Sequence, residues 1–391
     1  MDGEKRWQEA LQEYCGKAFA LNYQIAGDPE LSGAEYHACA AFVRECRALG
    51  MATEERFTQQ PTAFRAAAWR AERPLFRAAV LAEYDALPDI GHGCGHAANG
   101  AISFLAAAAL RRLGQAEGLP FDVDLIGTPD EELHGGKVIM CRADVFKAYD
   151  VAVMVHVSAN ETNPNCRFLA LNDFLIRFHG QTAHAAAVPW QGRNALNGAM
   201  LALHAMDMLR QHVRPETRLA SCIRNGGSAS NVVPDLAEIE CCIRHSERPY
   251  LNQLIKRVMN CVRGAALATE TTYDVEEVGC AFDDLLWNEP LTEISRSVLR
   301  DLDIPFTEPV CGGSSDIGNV SYQCPAVHLH LAMGDTYYPG HTREIAEMVQ
   351  RKDVEPVIVS GADIIGRILF KLAADGAVRE KVKQVFLEGT R

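Results

Sequence analysis

The sequence lacks an excess of positive charge and contains no long apolar run. Its 38 lysine and arginine residues are outnumbered by 51 aspartate and glutamate residues, which gives a formal net charge of −13. We therefore expect no nucleic-acid partner, because such surfaces need clustered Lys and Arg. No segment has the uninterrupted apolar length that a bilayer requires, so we also expect no membrane association. The N-terminal residues lack the apolar stretch of a signal peptide, which favours a cytoplasmic location.

Internal repeats, low-complexity segments and regularly spaced cysteines are also missing. Thirteen cysteines are scattered along the chain, a pattern typical of reduced thiols in a protein core and not of a disulfide framework. Of the 391 residues, 48% are hydrophobic and 23% are charged. This is the composition of a globular protein, and the length suits two ordinary domains.

One stretch, residues 83–96, carries most of the candidate chemistry. The apolar run 78–82 before it predicts a buried strand, and the Ala/Leu-rich segment 97–113 after it predicts a helix. The stretch is then a loop at the carboxyl end of a strand, where sites collect in open α/β sheets. Within it, the side chains of Cys94 and His96 are potential metal ligands, which could bind one transition-metal ion or bridge two. Taken alone, the triplet is more often a buried cysteine beside a loop histidine.

The order of predicted elements indicates one α/β domain interrupted by a second domain. Strands and helices alternate up to residue 156, as in a parallel sheet with right-handed crossovers. From residue 172 the order becomes β-α-β-β-α-β, the ferredoxin-like arrangement. After residue 285 the alternation of helices and strands resumes. We therefore predict a mostly parallel-sheet α/β domain at residues 1–171 and 284–391, interrupted by an α+β ferredoxin-like domain at residues 172–283.

Potential metal ligands lie in four predicted loops, three of which follow strands of the same sheet. These residues are Cys94 and His96, Glu131 and Glu132, His156, and, in the fourth loop, His341. Two adjacent glutamates cannot both face one metal from a regular strand, because side chains alternate. In a loop, one can bind a metal while the other removes a proton from the metal-bound water, as hydrolysis requires. Taken alone, the glutamate pair is more often a solvated helix N-terminus.

A series of short motifs resembles those of peptidase family M20, in the order in which the family carries them. This family comprises dinuclear metallo-amidohydrolases such as aminoacylases, Glu-releasing carboxypeptidases and auxin-conjugate hydrolases. The resemblance is greatest to the branch with a Cys-Gly-His metal motif. The motifs lie at residues 28–32, 82–88, 93–96, 127–132, 183–185, 231–235, 312–316 and 341–342. They span nearly the whole chain, and the predicted insertion lies where the family has one.

The resemblance implies a dinuclear metal centre in the discontinuous domain, which would be the catalytic domain. Glu131 matches the general base, and Asp85 matches an acid that holds a liganding imidazole in place. The two ions per chain would be Zn²⁺ or Mn²⁺, with Co²⁺ and Ni²⁺ as alternatives. The five implied ligands, with the Cys94 thiolate bridging, are Cys94, His96, Glu132, His156 and His341.

The resemblance also implies substrate contacts. His184 matches a histidine offered across a homodimer interface to the oxyanion, so the insertion would be a dimerisation and lid domain. Asn231 and Arg244 match residues that bind the carboxylate of the substrate, and a turn with Gly313 and Ser314 would line the same pocket. Without the family, the better explanations of His184, Asn231 and Arg244 are a core histidine, a turn former and a surface arginine.

The implied activity is hydrolysis of the amide bond in a small N-acyl amino acid, dipeptide or amino-acid conjugate with a free carboxylate. A metal-bound hydroxide would attack, with Glu131 as the base. One departure keeps an alternative open, since Ala97 stands where the family commonly has Asp or Asn, and the same chemistry could act on another small molecule, as in deamination. The third hypothesis, a non-catalytic metal- or ligand-binding protein, predicts loss of the base. The expected partners are a small amide substrate and a second copy of the chain.

Overall fold

The structure is a computed structural model that describes residues 2–390. It divides into two compact units. The larger unit comprises the described residues of Met1–Arg167, Leu285–Cys311 and Ser315–Arg391, and the smaller unit comprises Phe168–Asp284 and Gly312–Ser314. In the described part of the chain, no helix combines the length and the apolar character needed to cross a bilayer.

The larger unit is built on a six-stranded sheet covered by helices. Its strands are β1 (Ala52–Glu55), β2 (Phe64–Trp69), β3 (Arg77–Ala82), β4 (Asp122–Gly127), β5 (Val151–Ser158) and β10 (Ala326–Ala332). Its helices are α1 (Asp2–Gly27), α2 (Tyr36–Ala48), α3 (His96–Glu117), α4 (Gly136–Arg142), α7 (Glu289–Asp301), α8 (Ile317–Ser321), α9 (Arg343–Met348), α10 (Val354–Ala374) and α11 (Gly376–Gly389). The strand order is β1-β2-β4-β3-β5-β10. The strands β4, β3, β5 and β10 are parallel, whereas β1 and β2 join the sheet as antiparallel neighbours.

Helix α3 lies at the centre of this unit because its side chains are small. It contains a run of four alanines at 106–109, and most of its residues are buried. It packs against β3 and β5 on one side and against α1 and α10 on the other. At Gly100 an added Cβ would lie 2.7 Å from the carbonyl oxygen of Glu83. The first turns of α3 therefore lie directly against the carboxyl end of β3.

The smaller unit contains a four-stranded antiparallel sheet and two helices. Its elements are β6 (Ala170–His179), α5 (Ala195–Leu209), β7 (Arg218–Asn225), β8 (Leu236–His245), α6 (Arg248–Ala268) and β9 (Thr272–Phe282). The strand order is β7-β8-β6-β9. Alternate residues of β8 are buried, and they form a separate hydrophobic core with the apolar faces of α5 and α6.

The predicted fold class is confirmed, because a mostly parallel sheet and a separate β-α-β-β-α-β unit are both present. Several local predictions were wrong. The apolar spacing predicts a first helix over residues 6–18, but helix α1 extends from Asp2 to Gly27. Strand β1 was missed because its four residues are mostly exposed and lack apolar alternation. Helix α11 was missed because it buries little apolar surface, with Val382 as its buried side chain.

Candidate metal centre

The loop after β3 brings two acidic residues and two metal-ligand candidates together. Glu83 and Asp85 follow the strand directly, and both are buried. Cys94 precedes Gly95, whose φ of 83° lies in the left-handed region and sets the start of α3 at His96. The Nδ1 atom of His96 donates a hydrogen bond of 2.9 Å to Asp85 Oδ1. This leaves His96 Nε2 as the atom available for a metal, the arrangement in which a carboxylate orients a liganding histidine.

Asp85 also fixes the second loop, which follows β4. The backbone N–H of Glu132 donates to Asp85 Oδ2 at 3.0 Å, and the backbone N–H of Asp130 donates to the buried carboxylate of Glu35 at 2.9 Å. Asp130 itself has a φ of 62°, a left-handed conformation that turns the chain just before Glu131. Burial alone would raise the pKa of Asp85. The charge and hydrogen bond of His96, together with the hydrogen bond from the Glu132 N–H, instead hold this pKa well below its usual range.

His156 lies near the end of β5, with its ring close to that of His96. Its Nδ1 atom is 2.7 Å from the carbonyl oxygen of Val157. Because a carbonyl only accepts hydrogen bonds, Nδ1 carries the proton. The lone pair of Nε2 is then available to bind a metal. The ring centroids of His96 and His156 are 5.4 Å apart, with an angle of 88° between the ring planes.

His341 approaches the site from a loop before α9 and is half exposed. Its φ of 64° is unusual for a residue other than glycine, and such conformations cluster at functional sites. Its Nε2 atom lies 3.5 Å from Glu132 Oε2. Cys94, Glu132 and His341 each offer one ligand atom, and the three atoms lie within 4.8 Å of one another.

Glu131, which precedes Glu132 in the sequence, lies close to both His96 and Glu132. Ligand atoms of His96, Glu131 and Glu132 lie within 4.8 Å of one another. Burial, followed by the charges of Glu83 and Asp316, raises the pKa of Glu131 well above its ordinary value. A carboxylate with a raised pKa is a stronger proton acceptor, which suits a general base near neutral pH.

The residues present fit transition-metal ions. Among residues 2–390, Glu83 Oε2 and Glu132 Oε1 are buried oxygens with no hydrogen-bond partner. Such oxygens are costly unless a cation compensates them. The surrounding donors are a thiol, imidazoles and carboxylates, the set that binds Zn²⁺ and related ions.

Sequence reasoning missed a buried charge cluster next to these residues. The Lys137 Nζ atom donates to Glu83 Oε1 and to Asp316 Oδ1, each at 2.6 Å, and all three side chains are fully buried. Burial alone would lower the pKa of Lys137, but Asp316 and Glu83 reverse this effect and raise it above its ordinary value. Nothing in the sequence marks Lys137 as buried, since lysine is almost always exposed.

Two further histidines, for which sequence reasoning gave no role, flank His156. His328 and His330 lie on β10, and His330 is in register with His156 on the parallel strand β5. The ring centroids of His328 and His330 are 5.2 and 5.4 Å from that of His156. Two histidines two residues apart on one strand lie on the same face of a sheet. A prediction of the register between β10 and β5 could have used this spacing to place both histidines beside His156.

The other predicted site residues belong to the smaller unit. His184 and Asn231 are exposed and lie on adjoining segments, since the N–H of Ala185 donates to the carbonyl of Asn231 at 3.0 Å. His184 Nδ1 accepts from the N–H groups of Ala186 and Ala187, so Nε2 carries the proton and is free to donate.

Arg244 and the predicted turn also meet within the smaller unit. The Arg244 Nη1 atom lies 3.4 Å from Ser314 Oγ, and the carbonyl of the neighbouring Gly313 accepts from the N–H of Leu169 at 2.9 Å. The structure therefore brings Arg244, Gly313 and Ser314 together.

The sequence is similar to those of known proteins over most of the chain. The model of a family described as peptidase family M20/M25/M40 matches residues 79–370. The chain is 32% identical to the Xaa-Arg dipeptidase of Homo sapiens over 97% of this chain and 91% of that protein. It is 33% identical to a component of the p-aminobenzoyl-glutamate hydrolase of Escherichia coli K12, over 66% of this chain and 56% of that protein.

Two solved structures share the fold at low sequence identity. An aminobenzoyl-glutamate utilization protein from Klebsiella pneumoniae aligns with a TM-score of 0.71 at 18% identity, over 93% of this chain and 98% of that chain. A Bacillus subtilis protein, described as a dinuclear metal binding peptidase from the M20 family, aligns with a TM-score of 0.73 at 14% identity, over 93% and 99% of the two chains.

Proposed function

The chain belongs to peptidase family M20/M25/M40, and on this premise we propose that it is a two-metal amidohydrolase that cleaves dipeptides. The observation that carries the proposal is the position of Glu131. Its carboxylate lies beside His96, which is close to His156, and beside Glu132, which is close to Cys94 and His341. A base in this position could accept a proton from a water molecule that the bound ions would activate.

In the proposed reaction, this chain's side chains hold the metals and move one proton. Cys94, Glu132 and His341 would hold one ion, and His96 and His156 the other, with the Cys94 thiolate bridging. When bound, divalent ions polarise the amide carbonyl and lower the pKa of a water molecule. Glu131 would accept the proton of that water and pass it to the leaving amine. Zn²⁺ or Mn²⁺ is our first expectation for the ions, with Co²⁺ and Ni²⁺ as alternatives, since ligand identity alone does not set the metal.

For the substrate we propose a dipeptide with a basic C-terminal residue. The support is the similarity, over nearly the whole chain, to a protein named Xaa-Arg dipeptidase. Asn231 and Arg244 would bind the C-terminal carboxylate, and His184 would donate its Nε2 proton to the developing oxyanion.

The test is amine release by the metal-loaded enzyme from a panel of dipeptides, N-acetyl amino acids and p-aminobenzoyl-glutamate. We expect dipeptides with C-terminal Arg or Lys to be cleaved fastest. The Glu131→Gln variant keeps the size of the side chain but loses the base, so we expect kcat to fall by about 10²–10⁴-fold with unchanged metal content. Full activity of Glu131→Gln, or no release from any member of the panel by enzyme carrying two ions, would contradict the proposal.

We further propose a homodimer formed through the smaller unit. Strand β7 is at the edge of its sheet and is mostly exposed, and Ile223 on it is 47% exposed. An exposed edge strand is a ready surface for pairing with a second copy. Light scattering coupled to size-exclusion chromatography should give twice the chain mass for the wild type and the chain mass for Ile223→Lys.

The thirteen irregularly spaced cysteines support a reducing compartment such as the cytoplasm.

A further inference from the structure

Glu83 is a buried acid of the metal centre to which the family resemblance gives no role. It directly follows β3, and its side chain is fully buried. The two oxygens of its carboxylate have different surroundings. Oε1 accepts the hydrogen bond from Lys137 Nζ at 2.6 Å. Oε2 has no hydrogen-bond partner among residues 2–390, and it lies 3.6 Å from His96 Nε2.

The position of Oε2 is informative because of the atom that it faces. His96 Nδ1 is occupied by Asp85, so the Nε2 atom near Glu83 is the one that would bind a metal. Ligand atoms of Glu83, His96 and His156 all lie within 4.8 Å of one another. We propose that Glu83 is a sixth protein ligand of the centre and binds the same ion as His96 and His156. This inference rests on the proposed function of the site as a two-metal centre.

The distances suit a common ion. With metal–nitrogen bonds of about 2.0–2.1 Å and tetrahedral angles, two imidazole rings on one ion have centroids roughly 5.2 Å apart. The centroids of His96 and His156 are 5.4 Å apart. By the same geometry, a carboxylate oxygen and a nitrogen on one ion are roughly 3.3 Å apart, and the Glu83 Oε2 to His96 Nε2 distance is 3.6 Å. A shift of a few tenths of an ångström would bring these atoms to bonding positions.

The charges around Glu83 favour the same assignment. Lys137 contributes one positive charge, but two fully buried carboxylates, Glu83 and Asp316, contact its ammonium group. Within this group of three, the negative charges exceed the positive charge by one, and a buried charge without a counter-ion is strongly unfavourable. Because Lys137 binds Oε1, it also turns Oε2 towards the histidines. A divalent ion at this point would supply the missing positive charge.

With Glu83 included, each ion would have three protein ligands, in addition to any sharing of the Cys94 thiolate. Cys94, Glu132 and His341 form one group, and Glu83, His96 and His156 form the other. Without Glu83, the second ion would depend on two neutral imidazoles and the shared thiolate. Glu83 would therefore govern the retention of the second ion specifically.

The decisive variant is Glu83→Gln, in which the amide oxygen still accepts from Lys137 and the amide nitrogen cannot bind a metal. Metal content is measured by elemental analysis after equilibration with buffered free Zn²⁺. We expect the wild type to hold about two ions per chain and Glu83→Gln to hold about one, with the affinity for the second ion at least about 10–100-fold weaker. The matched control is Asp124→Asn, since Asp124 is a buried carboxylate in the same sheet that pairs with Arg70 and Arg77. It should keep both ions.

Three outcomes separate this inference from the proposed function. If the wild type and Glu83→Gln both hold two ions with equal affinity, the inference is wrong while the two-metal hydrolase stands. If the wild type never holds a second ion, the proposed function fails first. Should Glu83→Gln not fold, the wild-type crystal loaded with Zn²⁺ decides. An anomalous peak about 2.0–2.2 Å from Glu83 Oε2 supports the assignment, and a peak beyond hydrogen-bond distance from it overturns the assignment.

Discussion

Two clusters of charged side chains, one in each unit of the chain, lie in opposite environments. In the larger unit, Lys137, Glu83 and Asp316 are fully buried and contact each other. In the smaller unit, Arg177 joins Asp274 and Glu276 on the surface of the sheet. This difference indicates which charged side chains have fixed positions before any ligand binds. Buried charges must be matched to a fixed arrangement, whereas exposed ones are solvated and contribute little.

Removing the buried cation tests this contrast most strongly. Lys137→Met leaves the carboxylates of Glu83 and Asp316 buried without their counter-ion, a change that typically costs about 3–5 kcal/mol. We expect a large fall in the thermal midpoint of the metal-free protein. The matched control is Lys147→Met, since Lys147 is an exposed residue that pairs with Asp144 three residues away. A midpoint for Lys137→Met equal to that of the control would show that the buried cluster does not stabilise the fold.

The second prediction concerns how the larger unit holds its ligands in place. Asp85 accepts from His96 and from the N–H of Glu132, and Ser32 Oγ donates to it at 2.8 Å. Asp85→Asn keeps the shape but loses the charge that orients the imidazole, and such changes weaken metal binding about 10–100-fold. We expect this loss in a competition titration with a chromogenic chelator. A wild-type affinity in Asp85→Asn would mean that the loops hold His96 and Glu132 without it.

The larger unit shows what the sequence could predict and what it could not. The ligand loops were predictable because apolar runs mark β3, β4 and β5, and parallel strands bring their carboxyl ends to one edge of the sheet. The buried cluster was not, because Lys137 lies 54 residues from Glu83 and 179 from Asp316. No local pattern distinguishes a buried lysine from a solvated one. Likewise, β1 and α11 bury too few apolar residues to produce a periodic signal.

The smallest effect is expected on the surface of the smaller unit, at Asp274. His179 Nε2 lies 2.5 Å from its carboxylate and Arg177 lies nearby. The hydrogen bond from His179, followed by that from Arg177, lowers the pKa of Asp274. Because the folded pKa is below the unfolded one, the stabilisation is present above the unfolded pKa of about 3.9 and is lost as pH falls through the folded pKa. Asp274→Asn should therefore lower the unfolding midpoint slightly at neutral pH and not at all in acid.

Salt distinguishes this effect from the one at Lys137. Exposed pairs are screened, since the Debye length falls to about 3 Å at roughly 1 M salt, whereas buried pairs are screened much less. The difference in midpoint between the wild type and Asp274→Asn should disappear in high salt, while the difference for Lys137→Met persists. If both differences respond equally to salt, water reaches Lys137 and the contrast between the two units fails. If neither responds, the pair of Asp274 and His179 behaves as a buried pair, and this part of the sheet surface is covered in solution.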